Sequence, residues 1–182
     1  MKRTLSTILM LTFAAAPFAL AHAEAAKSGA SAELDRLPFP TGELACTGSF
    51  MAMGGKAGHA TSGVAHVERI LGGNWIVIRY DEQASTENAR PYGVVQYVGY
   101  EDAGKRFIST LVDNNEGSGF STGVSAGWKN DAMTFEETPS GGKEAAYRDT
   151  FTAKGDAFTH TGTMLGKDRK WVKTDEETCR KR

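Results

Sequence analysis

The feature that most constrains this chain is the alternation of apolar and polar residues from about residue 73 almost to the end. Short alternating runs are separated by clusters rich in Gly, Asp, Asn and Pro, which tolerate the backbone angles of turns. Helical spacing is nearly absent. The pattern predicts an all-β fold, a single antiparallel meander of about ten strands. Parallel strands would need crossovers of about a dozen residues or more, and the turns here are too short. A meander of this size is expected to close into a barrel.

The strands and their two faces follow from the same alternation. Apolar and aromatic residues mark an inner face that includes Phe107, Phe120, Tyr147, Phe151 and Phe158, and threonine-rich sets mark the outer face. We expect strands at 44–53, 63–71, 75–81, 92–100, 106–112, 119–128, 133–138, 146–153, 158–165 and 170–179.

The first 23 residues have the pattern of a secretory signal peptide. Lys2 and Arg3 precede an apolar stretch, and Ala21-His22-Ala23 forms a small-x-small cleavage site. We predict cleavage after Ala23, a flexible leader over residues 24–40 and a β-barrel domain over residues 41–182. The location is then periplasmic or extracellular in a bacterium, and the apolar stretch is too short for stable insertion in a membrane.

The charge of the chain argues against nucleic acid as a partner. The formal net charge is -1, and loss of Lys2 and Arg3 with the signal peptide makes it -3. Phosphate neutralisation requires a basic face. The sequence carries no signal for a particular oligomeric state.

The two cysteines, Cys46 and Cys179, lie near the two ends of the predicted barrel. In an oxidising compartment such a pair is best explained by one disulfide. If the barrel closes, its first and last strands pair, and the disulfide would fasten that seam.

Three polar residues alternate with apolar residues and are therefore expected inside the barrel. These are Arg79, Asp149 and His160. Buried charges must be paired or hydrogen-bonded, so these groups either pair with one another or line a wet cavity. An aromatic interior with a few polar groups is typical of a ligand pocket. The candidate ligand contacts are Arg79, Tyr97, Phe107, Phe120, Tyr147, Asp149 and His160.

Catalytic and metal motifs are weak. Gly123-Val124-Ser125-Ala126-Gly127 matches the nucleophile elbow of hydrolases, but a turn into another strand follows it instead of a helix, and Ser125 is expected on the outer face. The histidines form no pair with metal-ligand spacing. We therefore predict no enzyme, no catalytic residue and no metal site.

Gly73-Asn74-Trp75 at the start of a strand resembles the G-x-W signature of calycin-like barrels, the lipocalins and fatty-acid-binding proteins. The resemblance implies that Trp75 plugs one barrel end under a basic residue such as Arg148 or Lys170. The family motif lies on the first strand, whereas two strand-like runs precede it here.

Residues 65–178 are also similar to a bacterial family known only as a domain of unknown function. The shared motifs are Leu71-Gly72-Gly73-Asn74-Trp75, Gly99-Tyr100-Glu101 and Tyr147-Arg148-Asp149. The family implies a lipocalin-like barrel without an established activity. Haem-binding barrels of the nitrobindin type look similar in outline, and His160 would be the residue that holds haem there; otherwise no cofactor is expected.

The leading functional hypothesis is a periplasmic binding or carrier barrel for a small, mostly apolar ligand. The first alternative is a structural or interaction module of the cell envelope with a filled core, and the second is the haem-binding barrel.

Overall fold

A computed structural model describes residues 29–53, 55–114, 119–142, 144 and 146–182. The predicted signal peptide and the first residues of the predicted leader lie outside the described residues. One short helix precedes ten strands, and a 3-10 turn at Leu71–Gly73 separates the second and third strands. The helix α1 spans Gly29–Leu34, and the strands are β1 (Gly42–Phe50), β2 (His59–Ile70), β3 (Trp75–Glu82), β4 (Gly93–Glu101), β5 (Arg106–Asp113), β6 (Phe120–Ser125), β7 (Ala132–Pro139), β8 (Tyr147–Lys154), β9 (Ala157–Leu165) and β10 (Trp171–Lys181).

The strands form one closed antiparallel barrel. Each strand pairs with its neighbours in sequence, and β1 also pairs with β10. The prediction of a meander barrel of about ten strands is therefore confirmed. Short turns permit this topology because antiparallel neighbours need no crossover connection.

A disulfide lies at the barrel seam. Cys46 on β1 is directly opposite Cys179 on β10, and their Cα atoms are 4.0 Å apart. Both cysteines belong to the buried core. The predicted disulfide is confirmed, and it suggests an oxidising, non-cytosolic location. In the part of the chain described above, no helix is both long enough and apolar enough to cross a membrane.

The two ends of the barrel differ. The apolar end carries α1 and the turn at 102–105, and the polar end is where β1 finishes and β4 begins. Leu34, Leu37 and Phe39 fill the apolar end as members of the hydrophobic core. The ring of Phe39 meets Phe151 edge-on at 5.2 Å, and Arg69 Nη2 donates to the carbonyl of Leu34 at 2.6 Å. Residues 34–39, expected in a flexible leader, are thus packed against the barrel.

The face predicted for β6 is wrong by one residue. Ser121, Gly123 and Ser125 are buried inside, whereas Phe120 is 42% exposed and Val124 41% exposed on the outer surface. Alternation alone places the more apolar residues of β6 inside, but the neighbouring interior position on β7 is the carboxylate of Glu137. Ser121 donates a hydrogen bond to it. Small polar residues therefore face inward on this strand.

The face predicted for β3 is also reversed. Ile76, Ile78 and Tyr80 belong to the core, so Arg79 is exposed on the outside. Its cation is solvated there instead of buried. Tyr97, on the neighbouring strand β4, is likewise on the outer surface and 37% exposed.

Trp75 does not plug the barrel. It lies outside the core cluster, and its ring covers its cross-strand neighbour Gly99. Arg148 stacks on Trp171 at 4.0 Å, and Lys170 pairs with Asp168, so neither takes the role implied for it by the calycin resemblance. Leu34, Leu37 and Phe39 close the apolar end.

Candidate functional site

The interior near the polar end is acidic. Among the described residues, every buried side chain that carries a formal charge is a carboxylate, and none is Lys or Arg. The buried acids are Glu82, Glu137, Asp149, Asp175 and Glu177. We call the inward-facing side chains of Glu137, Asp149, His160, Asp175 and Glu177 the acidic chamber. Buried carboxylates are unfavourable unless something pairs with them, so this arrangement needs positive charge or protons.

His160 on β9 lies at the centre of the chamber. Its Nδ1 is 3.1 Å from Asp175 Oδ2 and 3.4 Å from Glu177 Oε2. On the other side of the ring, Nε2 is 3.3 Å from Asp149 Oδ1. Three carboxylates from β8 and β10 thus surround one imidazole.

The protonation of this cluster is coupled to its geometry. Burial alone lowers the pKa of His160, but hydrogen bonds to Asp149, Asp175 and Glu177 outweigh it and raise that pKa well above its usual value. Burial also opposes ionisation of Asp175, yet hydrogen bonding to His160 and its charge lower the pKa of this carboxyl. For Glu177 burial dominates and raises the pKa. The bare cluster therefore favours an imidazolium beside an ionised Asp175.

Glu137 forms a second part of the chamber. Ser109 Oγ donates to its Oε1 at 2.9 Å, and Gln96 Nε2 donates to the same oxygen at 3.3 Å. Gln96 Nε2 is also 3.4 Å from Asp149 Oδ2, so the amide links the two carboxylates. Burial and the charge of Asp149 raise the pKa of Glu137 to about 7. Glu137 therefore changes its charge near neutral pH.

Inward-facing glycines make room for two of these acids. A Cβ at Gly123 would lie 2.8 Å from Glu137 Cγ, and a Cβ at Gly162 would lie 2.7 Å from Asp175 Cγ. A register shift in β10 between Lys173 and Asp175 adds a bulge residue just before the second acid. The missing side chain of Gly162 and the bulge in β10 together let Asp175 pack against β9.

Tyr80 brings a hydroxyl to the same region. Its Oη is buried and has no hydrogen-bond partner. Burial and the charges of Glu177, Glu82 and Asp175 raise the pKa of this phenol, although a side-chain interaction with Thr61 lowers it. Thr61 itself donates to Glu177 Oε1 at 3.5 Å. The phenol therefore faces the chamber from β3 as a neutral group.

A polar network lies at the rim of the polar end. His59 Nε2 is 2.9 Å from Glu82 Oε1, and Asn88 Nδ2 donates to Glu82 Oε2 at 2.9 Å. The backbone N–H of Tyr92 donates to the same carboxylate oxygen at 2.8 Å. These contacts tie the 83–92 connection to the barrel and satisfy Glu82.

The structure brings only some of the predicted ligand contacts together. Asp149 and His160 are in the chamber. Tyr147 is half-buried and lies on the same inner face of the barrel. Phe107 is inside but belongs to the hydrophobic core. Arg79, Tyr97 and Phe120 are on the outer surface, so their predicted inward placement is wrong.

Sequence reasoning missed three chamber acids although the sequence contained the signal. Asp175 and Glu177 alternate with Cys179, whose disulfide marks an inner position. Glu137 alternates with Met133 and Phe135 in the same way. Period-two spacing places all three inside. The predicted outward placement of Ser125 was also wrong: the side chain is buried and faces inward, and its Oγ accepts the N–H of Gly127 at 3.2 Å.

Comparison with known proteins identifies a family and a fold. Residues 40–181 match the family described as "Protein of unknown function (DUF1579)". No curated protein matches the chain. Among solved structures, the barrel is similar to the crystal structure of Rv2717c from M. tuberculosis, with a TM-score of 0.56 and 9% identity over 78% of this chain and 92% of that one. At this identity the likeness concerns the fold alone. Because the family match covers well over half of the sequence, the chain belongs to the DUF1579 family.

Proposed function

We propose that this protein is an extracytoplasmic binding barrel that holds a small, positively charged ligand in its acidic chamber. The observation that carries the proposal is that Asp149, Asp175 and Glu177 all converge on one histidine, His160. In the described part of the chain, no Lys or Arg side chain is buried to compensate them. The disulfide supports the extracytoplasmic location.

The distribution of side chains favours a cationic ligand over the mostly apolar ligand expected from the sequence. The apolar half of the interior is filled by packed rings and aliphatic chains, among them Phe39, Met133, Phe135 and Phe158. The polar part of the interior carries the acids, and buried carboxylates attract positive charge more strongly than exposed ones. An apolar ligand would leave those acids uncompensated.

Two side chains of the chamber keep contact with solvent. His160 faces the barrel interior, yet 25% of its side chain is exposed, and the side chain of Asp175 is 13% exposed. Water therefore reaches these two side chains although they face the interior. A ligand entering from the polar end would meet Tyr147, Asp149 and His160, which are the sequence candidates that this proposal keeps.

The proposal does not extend to haem. That alternative depends on His160, and each of its ring nitrogens lies within 3.4 Å of a carboxylate oxygen. Carboxylates beside both nitrogens occupy the positions that a porphyrin ring would need. No other observation in the chamber favours a porphyrin.

Ligand retention provides the test. Protein recovered from its native host should carry a small molecule in native mass spectrometry, and putrescine, choline and arginine should be screened as probes by thermal shift. We expect Asp149→Asn to abolish retention and to reduce the stabilisation by the best probe. Arg79→Ala, which removes an exposed cation outside the barrel, should leave both unchanged.

The envelope-module alternative makes the opposite prediction. It is favoured by an outer groove of about 840 Å³ whose lining includes Val124, Arg148 and Trp171. A protein that carries neither a ligand nor a metal ion from its native host and responds to none of the probes would overturn the binding proposal. A defect of an outer-groove variant such as Trp171→Ala in the cell would then favour this alternative.

A further inference from the structure

We propose that the acidic chamber is a binding site for one divalent transition-metal cation, held by His160 Nδ1, Asp175 Oδ2 and Glu177 Oε2. The inference deepens the proposed function and rests on it, since it names the cation that the chamber takes. These three side chains each offer one ligand atom, and the three atoms all lie within 4.8 Å of one another.

The spacing of the ligand atoms fits a small cation. Nδ1 is 3.1 Å from Asp175 Oδ2 and 3.4 Å from Glu177 Oε2. In a tetrahedral zinc site with bonds of about 2.0–2.1 Å, neighbouring ligand atoms are about 3.3–3.4 Å apart. Two of the three separations between ligand atoms are therefore close to those of such a site, and the third lies within 4.8 Å.

Asp149 is placed as the positioning residue for the imidazole. Its Oδ1 is 3.3 Å from Nε2, on the ring edge opposite the two ligand carboxylates. A hydrogen bond from Nε2–H to Asp149 would fix the tautomer that directs the lone pair of Nδ1 towards Asp175 and Glu177. Metal-binding histidines commonly have such a carboxylate partner on the other ring nitrogen.

Tyr80 supplies an independent indication of a missing partner. Its hydroxyl is buried, interacts with the Thr61 side chain without a partner that meets hydrogen-bond geometry, and is affected by the charges of Glu177 and Asp175. The side chain is 8% exposed and comes from β3, on a different strand from every ligand. Buried hydroxyls are rarely left without a partner, and a cation with its bound water in the chamber would supply one.

The ligand chemistry selects the class of cation. Imidazole suits zinc, iron, nickel and copper, whereas calcium and magnesium prefer sites made of oxygen ligands alone. One histidine with two carboxylates therefore favours Zn²⁺, with Mn²⁺ binding more weakly in the usual order of affinities. The competing explanation is an ion cluster that is complete without metal, in which a protonated His160 neutralises the acids.

The test is calorimetric titration of Zn²⁺, Mn²⁺ and Ca²⁺ into chelator-treated protein with its disulfide intact. We expect one Zn²⁺ per chain, with Mn²⁺ weaker and Ca²⁺ weakest. Asp175→Asn and Glu177→Gln should each weaken Zn²⁺ binding by at least about 10-fold, and Asp149→Asn by roughly 10-fold through loss of orientation. Glu176→Gln is the matched control because Glu176 adjoins both ligands on β10 but is exposed.

A spectroscopic measurement on the unmodified protein tests the metal site even if the variants fail to fold. X-ray absorption at the zinc edge should show one imidazole nitrogen with oxygen ligands and no sulfur. Absence of Zn²⁺ binding, a coordination shell without imidazole, or equal affinities of Asp175→Asn and Glu176→Gln would overturn the metal site. If the organic probes still bind in those cases, only this inference fails; if they do not bind either, the proposed function fails with it.

Discussion

Glu137 on β7 accepts the hydroxyl hydrogen of Ser121 across the β6–β7 pair, inside the barrel. A second hydroxyl, from Ser109 on β5, donates to the other carboxylate oxygen at 2.9 Å. Burial nevertheless dominates, and together with the charge of Asp149 it raises the pKa of Glu137 to about 7. A carboxyl group with this pKa makes the stability of the barrel depend on pH.

We predict that Glu137 lowers the stability of the fold as pH rises from about 4.5 to about 7. Because the folded state holds this proton more tightly than the unfolded chain, the free energy of unfolding decreases through that window and levels off above it. The pKa difference corresponds to a loss on the order of 3 kcal/mol. Urea denaturation of the protein and of Glu137→Gln at several pH values measures it.

Glu137→Gln keeps the shape of the protonated acid, so the contribution of this group should vanish from its pH profile. Glu136→Gln, altered at the exposed neighbouring position, should retain the profile of the unmodified protein. If the unfolding free energies of the protein and of Glu137→Gln run parallel between pH 4.5 and pH 7, the raised pKa is wrong.

Phe39 is predicted to be a large contributor to stability although it precedes the first strand. Its ring packs edge-on against Phe151 at 5.2 Å, Phe158 at 6.0 Å and Trp128 at 6.4 Å. Phe39→Ala should lower the free energy of unfolding by about 3–5 kcal/mol, as expected for a phenylalanine removed from a packed core. Chemical denaturation measures the change.

The control for that prediction is Phe120→Ala, which removes the same side chain from the outer surface. A change of less than about 1 kcal/mol is expected there, as is usual for surface substitutions. Similar losses for the two variants would mean that Phe39 does not close the barrel end.

The fold was predictable because alternation and turn chemistry repeat over ten strands, so errors at single positions do not change the class. The inward face of a strand was predictable only where one of its two alternating sets of residues is clearly more apolar, as for Met133 and Phe135 on β7. On β6 the rule placed Phe120 inside, because nothing within that strand shows that Glu137 occupies the adjoining interior. The chamber depends on cross-strand contacts such as that between His160 and Asp175, and register decides those contacts.

Gly162 is predicted to be essential to the chamber geometry. Its missing side chain leaves the space taken by Asp175, and an added Cβ would lie 2.7 Å from Cγ of that acid and 2.7 Å from Thr174 Oγ1. Gly162→Ala should displace Asp175, lower stability by about 1–3 kcal/mol as for other overpacked interiors, and weaken Zn²⁺ binding. Calorimetric titration and denaturation of the same sample measure both effects.

Gly93→Ala is the matched control for Gly162→Ala. A Cβ at Gly93 would meet its nearest neighbour, Asn114 Nδ2, at 3.6 Å, which is ordinary van der Waals contact. Its zinc affinity and stability should stay close to those of the unmodified protein. Equal behaviour of the two alanine variants would contradict the steric fit of Asp175 over Gly162.

The seam disulfide is predicted to stabilise the barrel mainly by restricting the conformational freedom of the unfolded chain. Cys46 and Cys179 are 133 residues apart, and in the chain-entropy model a loop of that order restricts the unfolded state by about 4–5 kcal/mol. The double variant Cys46→Ala/Cys179→Ala should therefore unfold at much lower urea concentration. Its far-ultraviolet circular dichroism should remain that of the barrel, because β1 and β10 still share a continuous run of paired residues from Leu44 to Phe50. A double variant as stable as the oxidised protein would show that strand pairing alone holds the seam.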